Sequence, residues 1–242
     1  MASHFEAIGV KVNSLEDMEE LYSQCLEHGA EADTEAGKYF FWAMGNGAEL
    51  WGQLDSDNNA GLNPHFSGVS SFNVTLEHEI KNDERPVMDG SVYCQSVDGH
   101  YPFVVDIPDI KIWDPEFPKT CSIQISAFAH NVELYESEEE FNKDSTGKAK
   151  FAAEHFIPAG LFTDDGQTAT AHAVFGGIIK TAEKRANPVT GLEFYHALVK
   201  TLGGEIDVVI PPDLIKDSSK LQENYISSGY FWLSAKINGQ FS

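Results

Sequence analysis

The stretch HFEAIGVKVNSLEDMEELYSQCLEHGAEADTEAGKYFFWAMGNGAELWGQL, residues 4–54, changes periodicity twice, and those changes set the expected fold. Residues 4–12 alternate, with Glu6, Ile8, Val10 and Val12 on one face, which predicts a strand with a mostly apolar side. Ser14 offers an oxygen to the unpaired N–H groups of a helix start, and Asp17 adds first-turn negative charge. Leu15, Met18, Leu21, Tyr22, Cys25 and Leu26 follow at helical spacing until Gly29 stops the helix. Residues 38–44 are aromatic and strand-like. Asn46-Gly47 suits a type I′ hairpin turn, since both residues tolerate positive φ, and residues 48–54 return as the next strand.

Outward from this stretch, residues 55–63 form a polar link, and residues 66–80 alternate again. A turn-rich stretch over 81–90 stands where a helix would recur. Strands are expected over 91–97, 101–107 and 122–128, the first two joined at Asp98-Gly99. The order strand, helix, three strands thus repeats as strand, irregular link, three strands. Ser137-Glu-Glu-Glu140 spells a capping box and predicts a charged helical segment towards Phe156. Residues 172–181, 192–201, 206–210 and 230–237 read as strands, with a hairpin at Gly203-Gly204. The expected architecture is α+β: paired βαβββ-like modules forming a curved mixed sheet over 1–135, a helical linker over 136–158, and a mostly β small-barrel domain over 159–242.

Composition narrows the function classes. The 242 residues are 42 % apolar and 12 % aromatic, ample for buried cores. Against 38 acidic residues stand 16 basic ones, a net charge of −22. Such a polyanion is repelled by nucleic acid and by anionic membranes, so neither is an expected partner. The charge favours solubility, and it would also suit a basic protein partner. Cys25, Cys94 and Cys121 are widely spaced without a CxxC pair, and they read as free thiols in a reducing, cytoplasmic setting. The sequence opens without a basic, apolar leader, and no segment approaches the ~20 apolar residues of a membrane span.

The His4-led first segment, the helix ending at His28-Gly29, the Gly37-Lys38-Tyr39 strand and Ala48-Glu49-Leu50-Trp51 together resemble the vicinal-oxygen-chelate (glyoxalase/bleomycin-resistance) superfamily. That resemblance implies two modules around a concave sheet that holds a small substrate, with a divalent metal in many members. Its ligand positions fall on His4 (or Glu6), Glu49 and His65, with Gln124 where the second module would carry a Glu. His and carboxylate ligands suit a divalent transition metal with open positions. The resemblance also allows a homodimer. The C-terminal strands loosely resemble an OB-fold, although the basic groove of strand-binding members is missing.

Other patterns carry less chemistry. Trp42 and Trp51, on strands joined by a two-residue turn, either line a ligand pocket or fill the core. Asp106 and Asp109 flank Pro108; carboxylate pairs can split acid and base roles, but in a loop they usually cap turns. No Walker A, HExxH or GxSxG motif is present. The sequence leaves open whether the protein is an enzyme. It favours a small-ligand or protein-binding module on a degenerate glyoxalase-like scaffold, with Trp42, Glu49 and Trp51 as ligand contacts. The alternatives are a metal-dependent lyase, isomerase or dioxygenase using His4, Glu49 and His65, and an acidic interaction protein for a basic partner.

Overall fold

Among the described residues, two β-sheets carry the chain, one of four strands and one of nine. The computed structural model describes residues 4–81, 88, 90–98, 101–144, 151–161 and 168–238. The first sheet is an antiparallel meander of β1 (Ala30–Thr34), β2 (Gly37–Gly45), β3 (Ala48–Asp55) and β4 (Ala60–Phe66). Helix α1 (Leu15–His28) packs on it, with Cys25 buried against β2 and β3. The Ser14 side chain accepts the N–H of Asp17, and Asp17 Oδ2 accepts the N–H of Asn13 at 2.7 Å, so the helix start is capped reciprocally. Asn46 and Gly47 both take positive φ, +50° and +87°, as the predicted hairpin turn requires.

Residues 4–8 do not form the expected strand. His4–Ile8 is a 3-10 helix that buries Phe5, Ala7 and Ile8. Alternation on paper suits both geometries over so short a run. What decides is the backbone at Gly9, which turns left-handed (φ +71°). Carbonyls a neighbouring strand would have taken are claimed by the 187–190 loop. Asn187 Nδ2 donates to Ile8 O at 2.9 Å and Thr190 Oγ1 to Gly9 O at 2.5 Å.

The nine-stranded sheet contains β5 (Phe72–Glu79), β6 (Gly90–Ser96), β7 (Pro102–Ile107), β8 (Lys119–Tyr135), β9 (His155–Ile157), β10 (His172–Ala186), β11 (Glu193–Thr201), β12 (Gly204–Ile210) and β13 (Ile226–Ile237). Its pairings close two circuits. One runs β5-β6-β7-β13-β8 and back to β5; the other runs β10-β11-β12-β8-β13 and back to β10. Each is a meander of three strands completed by one parallel pairing (β7 with β13, β12 with β8) and the shared antiparallel pair β8–β13, a closed five-stranded circuit. The two barrels are therefore interlocked. β8 and β13, 17 and 12 residues long, serve both, and they exchange roles between them. Their ladder includes Ser126 paired with Ser234. Phenylalanines fill the interiors, among them Phe72, Phe103, Phe175 and Phe231.

This overturns the expected fold class. The molecule is mostly β, and the paired βαβββ arrangement does not form. Among the described residues between β5 and β8, the helical segment is the four-residue α2 (Ile110–Trp113). The ends of β5–β8 are satisfied instead by β13, from the far end of the chain. Strand pairing consequently runs across the expected boundary between 1–135 and 159–242. Within the expected linker, α3 (Glu138–Asp144) is capped by Ser137, whose Oγ accepts the N–H of Glu140, and His155–Ile157 is a strand rather than a helix end. Gly99 of the expected Asp98-Gly99 turn, most of the 81–90 stretch and residues 145–150 lie outside the described residues.

Candidate functional site

The two parallel seams of the barrels carry the same pair of residues. On the first, Asp106 of β7 faces Ser234 of β13, the single bridge joining those strands. On the second, Asp207 of β12 faces Ser126 of β8. A third position also matches. Trp232 Nε1 donates to Asp106 Oδ2 at 2.6 Å, and Gln124 Nε2 donates to Asp207 Oδ2 at 3.0 Å, each from two residues before the seam serine.

The second seam is sealed. Asp207 is fully buried; His196 Nε2 lies 2.8 Å from its Oδ1, and the Ser70 N–H donates to its Oδ2 at 2.8 Å. Burial pushes this carboxyl upward, but the hydrogen bonds from His196 and Ser70 outweigh it and hold Asp207 below the ordinary aspartate range. The segment after β4 closes over it: a Cβ at Gly68 would fall 2.0 Å from Asp207 Cγ, so only glycine lets the backbone pass. Ser126 Oγ donates to Phe66 O at 2.5 Å.

The first seam opens into a cavity of about 230 Å³, lined by His4, Asn63, Asp106, Ile107, Pro108, Trp232 and Ser234. Ser91 Oγ donates to Asp106 Oδ1 at 2.5 Å, so the carboxylate is held from two sides. The His4 ring stacks on Trp232, centroids 4.3 Å apart and planes 5° apart, with its Nε2 3.2 Å from His130 Nε2. His130 and His172 approach to 5.4 Å, and Tyr230 stacks on His172. Burial, then the neighbouring His130 and His172, lower the His4 pKa to about 3; burial also lowers that of His130. His4 is thus uncharged at neutral pH.

The seams communicate through His65, fully buried between them. Its Nδ1 lies 2.8 Å from Ser234 Oγ and its Nε2 3.0 Å from Gln124 Oε1. Gln124 Nε2 is committed as donor to Asp207 and to Ser126 Oγ, so Oε1 must face His65. Burial lowers the His65 pKa to about 4, with Lys236 adding to the shift while Glu49, Gln124 and Asp207 oppose it. The neutral ring therefore carries its proton on Nε2, donates to Gln124, and accepts the Ser234 hydroxyl proton on Nδ1.

The site residues expected from the sequence are dispersed around this network. Glu49 is buried and paired with Lys236 at 3.1 Å, and Trp51 Nε1 donates to it at 3.4 Å. The Lys236 ammonium lies over the rings of Phe41 and Trp51, 5.2 and 5.3 Å from their centroids. Register places Glu49 opposite His65, but both ring nitrogens of His65 are engaged elsewhere. His4 is turned to Trp232 and His130. The three do not form a ligand set, and among the described residues no group of three His, Cys, Asp or Glu is placed to hold a metal ion. Trp42 is buried beside His28 on the helix side of the sheet, away from Trp51. Cys25, Cys94 and Cys121 are free thiols, pushed upward in pKa by burial.

Asp106, Trp232 and Ser234 were not singled out as ligands by sequence reasoning. A signal existed: IQISA (123–127) and FWLSA (231–235) repeat a pattern on the shared strands, as VDI (105–107) and IDV (206–208) do on their parallel partners.

No family model and no curated protein matches the chain. Among solved structures, the cytoplasmic molybdate-binding protein ModG, crystallised with molybdate bound, is similar at 12 % identity and a TM-score of 0.36, over 72 % of this chain and 99 % of that one. A likeness of that size transfers neither fold nor ligand. No helix among the described residues is long and apolar enough to cross a membrane.

Proposed function

We propose that the protein is a small-molecule-binding module whose site is the cavity at the Asp106–Ser234 seam. The observation that carries this reading is the contrast between equivalent positions: the Asp207–Ser126 seam is closed by protein groups, whereas its counterpart lines a cavity walled by an aromatic ring and polar groups. Such a mixture is the usual makeup of a ligand site, and about 230 Å³ is below the roughly 300–1,000 Å³ typical of drug-sized pockets, which sets the scale at a small metabolite.

Binding is favoured over hydrolysis at this site. Ser234 and His65 form a hydroxyl–imidazole pair, but general bases work best with pKa near the operating pH, and that of His65 is lowered to about 4. The test is a small-metabolite screen read by thermal unfolding. A ligand at 100-fold its Kd adds about 2.7 kcal/mol, roughly 5–10 °C for a chain of this size. The reading expects at least one compound to raise Tm and to slow hydrogen exchange around residues 106 and 232–234. A screen in which every stabilising compound leaves those residues unprotected would overturn it.

A further inference from the structure

We infer that the cavity at the Asp106–Ser234 seam takes a planar, uncharged nitrogen heterocycle of fused two-ring size, which stacks on Trp232 in the place where His4 lies in this structure. His4 is thus a built-in competitor for its own site. The inference rests on the binding reading above and names the ligand class for that same cavity.

The stacking platform belongs to the barrels, and the ring resting on it does not. Trp232 lies on β13, paired with Phe128 of β8 on one side and with His172 of β10 on the other. Its indole N–H donates to Asp106, which fixes the plane of the ring. Three neighbouring strands therefore hold this aromatic face in place without help from His4. His4 comes from outside the barrels, as the first residue of the 3-10 helix. That helix is anchored beyond it. Phe5, Ala7 and Ile8 are buried, and Asn187 and Thr190 hold the carbonyls of Ile8 and Gly9. His4 itself is partly exposed, so its ring can swing off the indole towards solvent while these anchors stay.

The contacts His4 makes define what replaces it. Its imidazole lies parallel to the indole, with 4.3 Å between centroids and 5° between planes, the contact of two flat rings. Its Nε2 is 3.2 Å from His130 Nε2. His130 reaches that position from a β-bulge: the pairing of β8 with β13 passes from Asn131–Tyr230 to Ala129–Phe231 and skips it. Bulges re-aim side chains next to sites. Burial, with His130 and His172 close by, keeps the His4 ring uncharged, and a replacement meets the same preference for a neutral ring. A flat face and one ring nitrogen are therefore required. The cavity sets the size. His4 is one of its walls, so a ring in His4's place is continuous with about 230 Å³ bounded further on by Ile107, Pro108 and Ser234. A single ring spans only the place of His4, and a fused second ring enters the cavity.

The experiment titrates the protein, at a mildly alkaline pH that keeps the rings neutral, with benzimidazole, with imidazole, and with imidazolidin-2-one, a non-aromatic ring that also bears N–H groups. It follows the His4 Cε1 proton, assigned by His4→Ala, and the Trp232 indole N–H, assigned by Trp232→Phe. The indole ring current holds the His4 signal upfield. Benzimidazole should move it saturably to the unstacked position, about 10-fold more tightly than imidazole, because the second ring buries further apolar surface. Imidazolidin-2-one should not move it. In His4→Ala, read at Trp232, benzimidazole should bind at least about 10-fold more tightly, since the competitor is gone. His4→Phe, which keeps a ring for the indole, should show no such gain. Benzimidazole binding at Trp232 that leaves the His4 signal upfield, equal affinity in the native protein and His4→Ala, or equal binding of imidazolidin-2-one would each overturn the inference. So would the absence of heterocycle binding to either form. In that event a screen compound that protects residues 106 and 232–234 preserves the binding reading, and the lack of one ends both. Should His4→Ala not fold, the movement of the His4 signal in the native protein still decides.

Discussion

Asp106 and Asp207 occupy equivalent places on the parallel seams of two interlocked barrels, yet their surroundings differ in kind. Asp207 is enclosed by His196, Gln124 and Ser70 beneath a glycine that lets the chain lie against it. Asp106 accepts from Ser91 and Trp232 and lines a cavity. One topology has been used once as structure and once as a candidate site. The difference comes from outside the barrels: the segment 66–70, leaving the four-stranded sheet, covers the second seam, whereas His4 of the 3-10 helix and Asn63 of β4 line the cavity at the first.

The largest expected effect follows from stranding buried donors. Asp207→Ala should destabilise the protein by about 3–5 kcal/mol in urea unfolding, since His196, Gln124 and the Ser70 N–H lose their shared acceptor. Asp106→Asn should stay within about 1 kcal/mol, because an acceptor remains for Trp232. Equal losses at the two positions would break the distinction between seams.

The next effect is a pH dependence. The folded pKa of His65 is depressed to about 4, from 6.5, so between those values the unfolded chain binds the extra proton. Stability from this group is complete above about pH 6.5 and is lost as pH falls towards 4, by roughly 3 kcal/mol. Unfolding free energies at pH 7 and 4 should differ by that much more in the native protein than in His65→Gln. Parallel pH profiles would show that the ring between the seams is not held neutral.

Smaller is the loss expected from Gly68→Ala, about 1–3 kcal/mol, because the new Cβ lands on the Asp207 carboxylate and must push the covering segment away. Urea unfolding checks this too, and a neutral outcome would mean that the cover is loose.

The smallest effect has the opposite sign. Asp109, just beyond β7, is fully buried; its Oδ2 accepts from Trp113, while its Oδ1 has no hydrogen-bond partner. Burial raises its pKa to about 6. Its favourable contribution therefore belongs to low pH and is lost as pH rises from about 3.8 to 6. Asp109→Asn should stabilise the protein by about 1–2 kcal/mol at pH 7.5, with the gain fading by pH 4.

Local chemistry was legible in the sequence. Ser14 caps its helix, Asn46-Gly47 turns its hairpin, and Ser137 caps α3, because these features depend on neighbours within a few residues. The barrels were not, because their closure depends on β13 reaching β7 and β8 from about a hundred residues away. Alternation cannot reveal that one strand has two sets of partners, and β8 and β13 each do. The same limit hid the site. Asp106 reads as a turn residue until Ser234 and Trp232 stand beside it, and His65 reads as a ligand until Ser234 and Gln124 engage both its nitrogens.

The most direct test of the unequal seams is amide hydrogen exchange with and without a compound that raises Tm in the small-metabolite screen. The account predicts added protection at residues 104–108 and 232–235, with residues 124–128 and 206–209 unchanged. Equal protection of both seams, or protection at 206–209 alone, would contradict it.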